Sequence, residues 1–108
     1  MTSVSDQLRT AAKVLRAHAD AAEADVDTNP YWRSALTERP DWYANGVRNG
    51  LGGPSGELAA LMGPDTGRAL ADWLDHHASI LTAATQYDPD SNLARYALAV
   101  ARALNGDR

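Results

Sequence analysis

Between Leu93 and Leu104 the chain carries ten apolar or aromatic residues in twelve positions, and only Arg95 and Arg102 interrupt them. The run is too short to span a bilayer and too continuous for a surface helix, which needs a single apolar side. At helical spacing Leu93, Tyr96, Ala97, Val100 and Leu104 form a main stripe. Ala94, Leu98 and Ala101 form a second stripe, about 120° round the axis. A helix with so much apolar circumference belongs either at the centre of a bundle or against another polypeptide. The spacing predicts a helix from Asp88-Pro89 or Ser91 to Gly106, with Ala94, Leu98 and Ala101 as candidate interaction residues.

Two further helices follow from the same period. From Ser3 to Asp25, Val4, Leu8, Ala11, Ala12, Leu15, Ala19, Ala22 and Val26 share one narrow face, while Lys13, Arg16, Asp20, Glu23 and Asp25 lie opposite. Ser3 or Ser5 can cap its start, and Asp6 lies three residues after Ser3. From Pro64 to about Thr85, Ala69, Leu70, Trp73, Leu74, His77, Ile80, Leu81 and Ala84 make a broader face. Pro64 suits a first helical turn, and Asp65 complements its positive end. A short helix, Glu57 to Met62, is capped by Ser55 and stopped by Gly63. Residues 27–56 hold Asn29-Pro30, Arg39-Pro40, Gly53-Pro54 and five glycines in eleven positions, and read as irregular. Tyr31, Trp32, Trp42 and Tyr43 make this segment an ordered loop rather than a linker, with a short helical turn near Leu36 or over 41–44 left open.

The expected fold is mostly α: one domain over residues 1–108, a small bundle of three main helices and one short helix, with an aromatic- and Gly-rich loop. Its core is thin. Of the apolar residues 21 are alanine, against twelve Leu, five Val, one Ile and no Phe. Alanine favours helix but contributes little hydrophobic area, which suggests closely packed helices and makes self-association a reasonable expectation.

Composition also narrows function. With no cysteine there is no disulfide, thiolate metal site or cysteine nucleophile. Residues 1–6 lack the basic and apolar parts of a signal peptide, and no apolar run reaches membrane-spanning length, so a cytoplasmic protein without membrane contact is expected. The net charge of −4 includes no basic block, which argues against nucleic acid as a partner.

Three local constellations invite chemistry. Asp72 and His76 are an i,i+4 pair, a geometry that can hold a divalent metal, with His18 as a possible third ligand. Two ligands fall short of the three or four a metal site needs, and the simpler reading is a local Asp72–His76 ion pair beside a packed, hydrogen-bonded His77. Residues 50–56 are glycine-rich, yet no strand precedes them, no Lys-Ser/Thr follows, and Pro54 removes a backbone donor, so a phosphate loop is not supported. Trp32, Trp42 and Tyr43 with Arg33, Arg39 and Arg48 could stack on single-stranded nucleic acid, but Glu38 and Asp41 intervene and residues 26–62 are net negative. No serine lies in a nucleophile-elbow context. No catalytic, cofactor-binding or metal residue is therefore assigned, and no cofactor is expected.

The segments Ala69-Leu70-Ala71-Asp72-Trp73-Leu74-Asp75 and Ala97-Leu98-Ala99-Val100-Ala101-Arg102-Ala103-Leu104-Asn105-Gly106 resemble a group of short uncharacterised proteins from actinobacteria and their phages. Those proteins also open with a helix like Leu8-Arg9-Thr10-Ala11-Ala12, and follow it with a proline-rich element ending in Trp. Here Thr28-Asn29-Pro30-Tyr31-Trp32 keeps the Trp and changes the prolines. The resemblance implies a phage or prophage accessory protein in a host cytoplasm, and carries no activity with it. The functional expectation is a non-enzymatic interaction module that binds itself, as a homodimer, or a host protein.

Overall fold

A computed structural model describes residues 3–83 and 92–106, with the side chains of residues 92–94 outside the description. It contains α1 (Val4–Thr28), α2 (Trp42–Leu51), α3 (Gly53–Ala60), α4 (Pro64–Ala83) and α5 (Asn92–Asn105), with single 3-10 turns at Pro30–Trp32 and Arg39–Asp41. The described residues include no strand. The expected start of the last helix, at 88–91, and the end of the third, at Thr85, lie outside the described residues. No described helix is long and apolar enough to cross a membrane.

The described chain forms two compact units. The first comprises Met1–Ala17 and Arg68–Arg108. Here α1, α4 and α5 bury one seam: Leu8, Ala11 and Ala12 from α1, Ala71, Leu74, Ala78 and Leu81 from α4, and Ala97 and Ala101 from α5. Six of these nine are alanines, so helix backbones approach closely and only a few large side chains fill the space between them. Ser3 Oγ accepts from Asp6 N at 3.0 Å, the capping bond that fixes the start of α1. Hydrogen bonds edge the seam: Arg9 donates to Thr82 Oγ1 (3.0 Å), Ser5 Oγ to Ala78 O (3.3 Å), and Asn105 Nδ2 to Gln7 O (3.3 Å). Gly106, at φ 80°, ends α5 in the left-handed conformation that favours glycine.

The second unit is His18–Gly67. Asn29 Oδ1 accepts from Tyr31 N at 3.1 Å, capping the 3-10 turn that presents Tyr31 and Trp32. Trp32 stacks on Tyr43 (centroids 5.5 Å, 8° between planes), and its Nε1 donates to Asp25 Oδ2 at 2.6 Å. Tyr31 meets Trp32 edge-on and donates its hydroxyl to Gly46 O at 2.7 Å. Gly46 is buried on α2, and a Cβ there would overlap the Trp32 ring. α2 turns into α3 through Gly52 and Gly53, both at positive φ, and at Gly56 the would-be Cβ lies 3.6 Å from Arg48 Cα. Glycine is thus required by the reversal of the α2–α3 hairpin, while at Gly56 a methyl group would meet its neighbours at ordinary van der Waals distance.

Residues 27–56 are therefore not an irregular loop. Two short turns, α2 and the first half of α3 occupy them. The crowded glycines, Gly46 and Gly50 among them, made the segment read as irregular because each helical glycine costs about 1 kcal/mol against alanine. The aromatic rings docked over Gly46 offset that cost, so tertiary packing overrides local propensity.

Glycines in this unit separate two kinds of constraint. Gly46→Ala should destabilise the chain by about 1–3 kcal/mol in guanidinium unfolding, because the Trp32 ring must move. Gly67→Ala, which meets only the Ala19 Cβ at 3.5 Å in the first turn of α4, should be neutral or stabilise by up to about 1 kcal/mol.

Candidate interaction site

The apolar surplus of α5 is smaller than its residue count suggests. Fully buried Ala97 and Ala101 mark the centre of the core-facing side. Leu104 and Val100 flank them on one side and half-buried Leu98 on the other. The described residues of the two stripes, Tyr96 excepted, make one face spanning about 160°; Tyr96, read as part of the main stripe, is 63 % exposed outside it. Ala101 belongs to the unit's own core, which corrects its placement as a surface candidate. Leu98 stays at the rim of that core, and the Ala94 side chain lies outside the described residues. The opposite side of α5 exposes Arg95, Tyr96, Ala99, Arg102 and Ala103, with the Arg95 guanidinium 5.8 Å from the centre of the Tyr96 ring.

Among the described residues four of the nine large exposed apolar side chains lie on or just after the α2–α3 hairpin; the others are Tyr31 and Leu36, Trp73 and Ile80 of α4, and Tyr96 of α5. α3 buries its two smallest residue types, Gly56 and Ala60. Leu58 is 67 % exposed, Leu61 65 % and Met62 46 %, and Leu51, the last residue of α2, is 62 % exposed. Leu58, the one large apolar residue within α3, lies about 160° round the axis from both Gly56 and Ala60. Leu61 and Met62 follow in the turn that closes the helix. Leu51 adjoins α3, its Cβ being 3.6 Å from the would-be Cβ of Gly56. Small residues are thus enclosed here, and the large apolar ones on and beside the helix are exposed. Its surroundings are nearly free of charge: between residues 49 and 62 only Glu57 is ionisable, and Arg48 Nε holds it at 3.2 Å. Sequence reading assigned a short helix here without asking which side its leucines would take. A clue lay in the i,i+4 pair Gly56 and Ala60, whose small side chains favour the closest contact with a neighbouring helix.

On α4 the candidate Asp72–His76 pair has a different partner. Arg16 of α1 donates to Asp72 Oδ1 at 2.7 Å and also bridges to Asp75 Oδ2. Hydrogen bonds to Asp72 and then to Asp75 raise the Arg16 pKa further, so the guanidinium stays charged. Asp72 is thus engaged by Arg16 rather than by His76, which is exposed. His77 is half-buried against Trp73 (centroids 4.6 Å), and its buried Nδ1 has no hydrogen-bond partner, unlike the hydrogen-bonded histidine expected. Among the described residues no three His, Cys, Asp or Glu side chains converge as metal ligands.

The aromatic and arginine platform is also largely committed to internal contacts. Trp32 and Tyr43 cover each other, Arg39 pairs with Asp27 and lies 5.7 Å from the centre of the Trp42 ring, and Arg48 pairs with Glu57. Trp42 Nε1 donates to Thr37 O at 3.2 Å. Arg33 alone of the three arginines in that reading has no such contact among the described residues.

The Arg16 bridge is partly exposed, so its two carboxylates contribute little despite their geometry. Arg16→Met should change unfolding free energy by no more than about 1 kcal/mol, and the difference should shrink in molar salt as screening removes the attraction. Comparison with protein-family models, curated proteins and solved structures finds no match to this chain.

Proposed function

We propose that this chain is a non-enzymatic protein-interaction module, that its docking surface is the leucine face of the α2–α3 hairpin, and that a second copy of the chain occupies it. The observation that carries this reading is the exposure of Leu51, Leu58, Leu61 and Met62 on and around α3, whose own buried residues are Gly56 and Ala60. An exposed apolar cluster of this kind is the usual mark of a protein contact.

Charge argues for a second copy. With Glu57 paired to Arg48, the face brings no unpaired charge into a two-fold contact with itself, and it offers nothing to select an acidic or basic partner. Leu51, Leu58, Leu61 and Met62 together expose on the order of 400 Å² per chain, about half the ~800 Å² each partner contributes to a standard interface. The association is accordingly reversible and concentration-dependent. Each chain carries −4, so repulsion between copies opposes it and added salt strengthens it.

Sedimentation velocity from about 10 μM to 1 mM tests this in the range where small apolar interfaces assemble. Wild type should shift from monomer toward dimer, further so in higher salt, and Leu58→Glu should remain monomeric with an unchanged far-UV spectrum. Leu98→Glu should lower stability without selectively abolishing the dimer. A wild-type chain that stays monomeric throughout overturns self-association. Dissociation by Leu98→Glu but not by Leu58→Glu would move the interface to α5.

A further inference from the structure

A second feature of the same unit is independent of the leucine face. A solvent-open groove of about 430 Å³ lies between the Tyr31–Leu36 segment and one side of α2, lined by Tyr31, Arg33, Ser34, Leu36, Asn45 and Asn49 among others. Its polar groups are idle. Among the described residues neither the Arg33 guanidinium nor the side-chain amides of Asn45 and Asn49 have a hydrogen-bond or ion-pair partner. No carboxylate lines the groove, so its formal charge is the single positive charge of Arg33. At the lip, Leu36 is 95 % exposed, and Ser34 Oγ accepts from Leu36 N at 3.1 Å, which ties down the turn that presents it.

The spacing of these groups selects a ligand. Asn45 and Asn49 are one turn apart on α2, so their amides stand about 6 Å apart along the helix axis. Alternate residues of an extended peptide repeat at about 6.6 Å. A carboxamide carries a donor and an acceptor side by side, and so can pair with both the N–H and the C=O of one residue in an extended strand, which point to the same edge. Two of them at this interval match two alternate residues that face the same way. Arg33 adds a planar fork suited to a carboxylate. Tyr31 spends its hydroxyl on Gly46 O and leaves a ring edge, which with Leu36 makes an apolar seat.

We propose that this groove binds an extended peptide segment bearing a carboxylate. Asn45 and Asn49 hold its backbone, Arg33 its carboxylate, and Leu36 with Tyr31 an apolar side chain. A bare phosphate or acetate ion uses Arg33 alone and leaves both asparagines unpaired, and it is the outcome the experiment must separate.

The test is a ¹⁵N-detected titration of the full chain, carried out also in the Leu58→Glu background so that peptide binding and self-association are read separately. The probes are acetyl-Ala-Leu-Ala-Glu-amide, the same peptide with Gln in place of Glu, inorganic phosphate and sodium acetate. The Glu peptide should shift the side-chain amide signals of Asn45 and Asn49 and the Nε–H of Arg33 saturably, and bind about fivefold or more tightly than the Gln peptide. Arg33→Gln should erase that preference. The double change Asn45→Ala with Asn49→Ala should remove binding of both peptides while leaving the far-UV spectrum intact. The proposal is overturned by no saturable shift at ~10 mM peptide, the weak end of measurable affinity. It is equally overturned if phosphate or acetate alone reproduces the shifts at the same affinity, or if the double asparagine variant binds undiminished.

Discussion

Close helix contact through alanine is the constraint on which the first unit depends. Ala11, Ala12, Ala71, Ala78, Ala97 and Ala101 are all fully buried, whereas Leu8 and Leu74 are the large side chains fully enclosed with them. A methyl group allows two helix backbones to meet at short range, and the dispersion contacts of many atoms replace the area that larger side chains would bury. The hydrophobic gain per residue stays low, since a buried leucine is worth roughly 1.5–3 kcal/mol and an alanine a fraction of that. There is correspondingly little room in this seam for additional leucines.

Glycine carries the same logic into the second unit. Gly46 leaves space for the Trp32 ring, and Gly56 lies where α3 meets α2. Small residues occupy the contact, and the bulky ones are distributed around it. On the aromatic side the bulky groups find partners in one another through the Trp32–Tyr43 stack. On the α3 side Leu58, Leu61 and Met62 remain exposed, and this asymmetry is what turns a packing rule into a candidate docking surface. The groove beside Asn45 and Asn49 has the opposite character: polar groups left idle along an ordered helix, where they need only a backbone of matching repeat.

The parts of this architecture that are local in sequence were the legible ones. Of the apolar stripe read for α1, Leu8, Ala11, Ala12, Ala19 and Val26 are buried and Val4, Leu15 and Ala22 half-buried; Ser3 as one of two possible caps and Pro64 at the head of α4 also stand in place. What could not be read was decided by contacts between distant residues. Arg16 lies on the polar side of α1, and nothing local announces that Asp72 and Asp75 will meet it 56 and 59 positions later. α2 was hidden because crowded glycines read as irregular chain unless something large docks on one of them, as Trp32 does on Gly46. The α5 stripes were over-read for a different reason: an alanine counted as equal to a leucine makes a helix look apolar all round, when by area it has one wide face and a rim at Leu98. The same counting concealed the α3 surface, where four residues outweigh many alanines.

The alanine seam is tested most directly by one chemical change made at two positions on one helix. Ala101→Leu and Ala99→Leu add the same atoms to α5, the first where Ala101 is enclosed and the second where Ala99 faces solvent. In guanidinium unfolding at a fixed low protein concentration, Ala101→Leu should destabilise by about 1–3 kcal/mol through overpacking, with Ala99→Leu within about 0.5 kcal/mol of wild type. Equal effects at the two positions, or a stabilising Ala101→Leu, would contradict a core built on close helix contact.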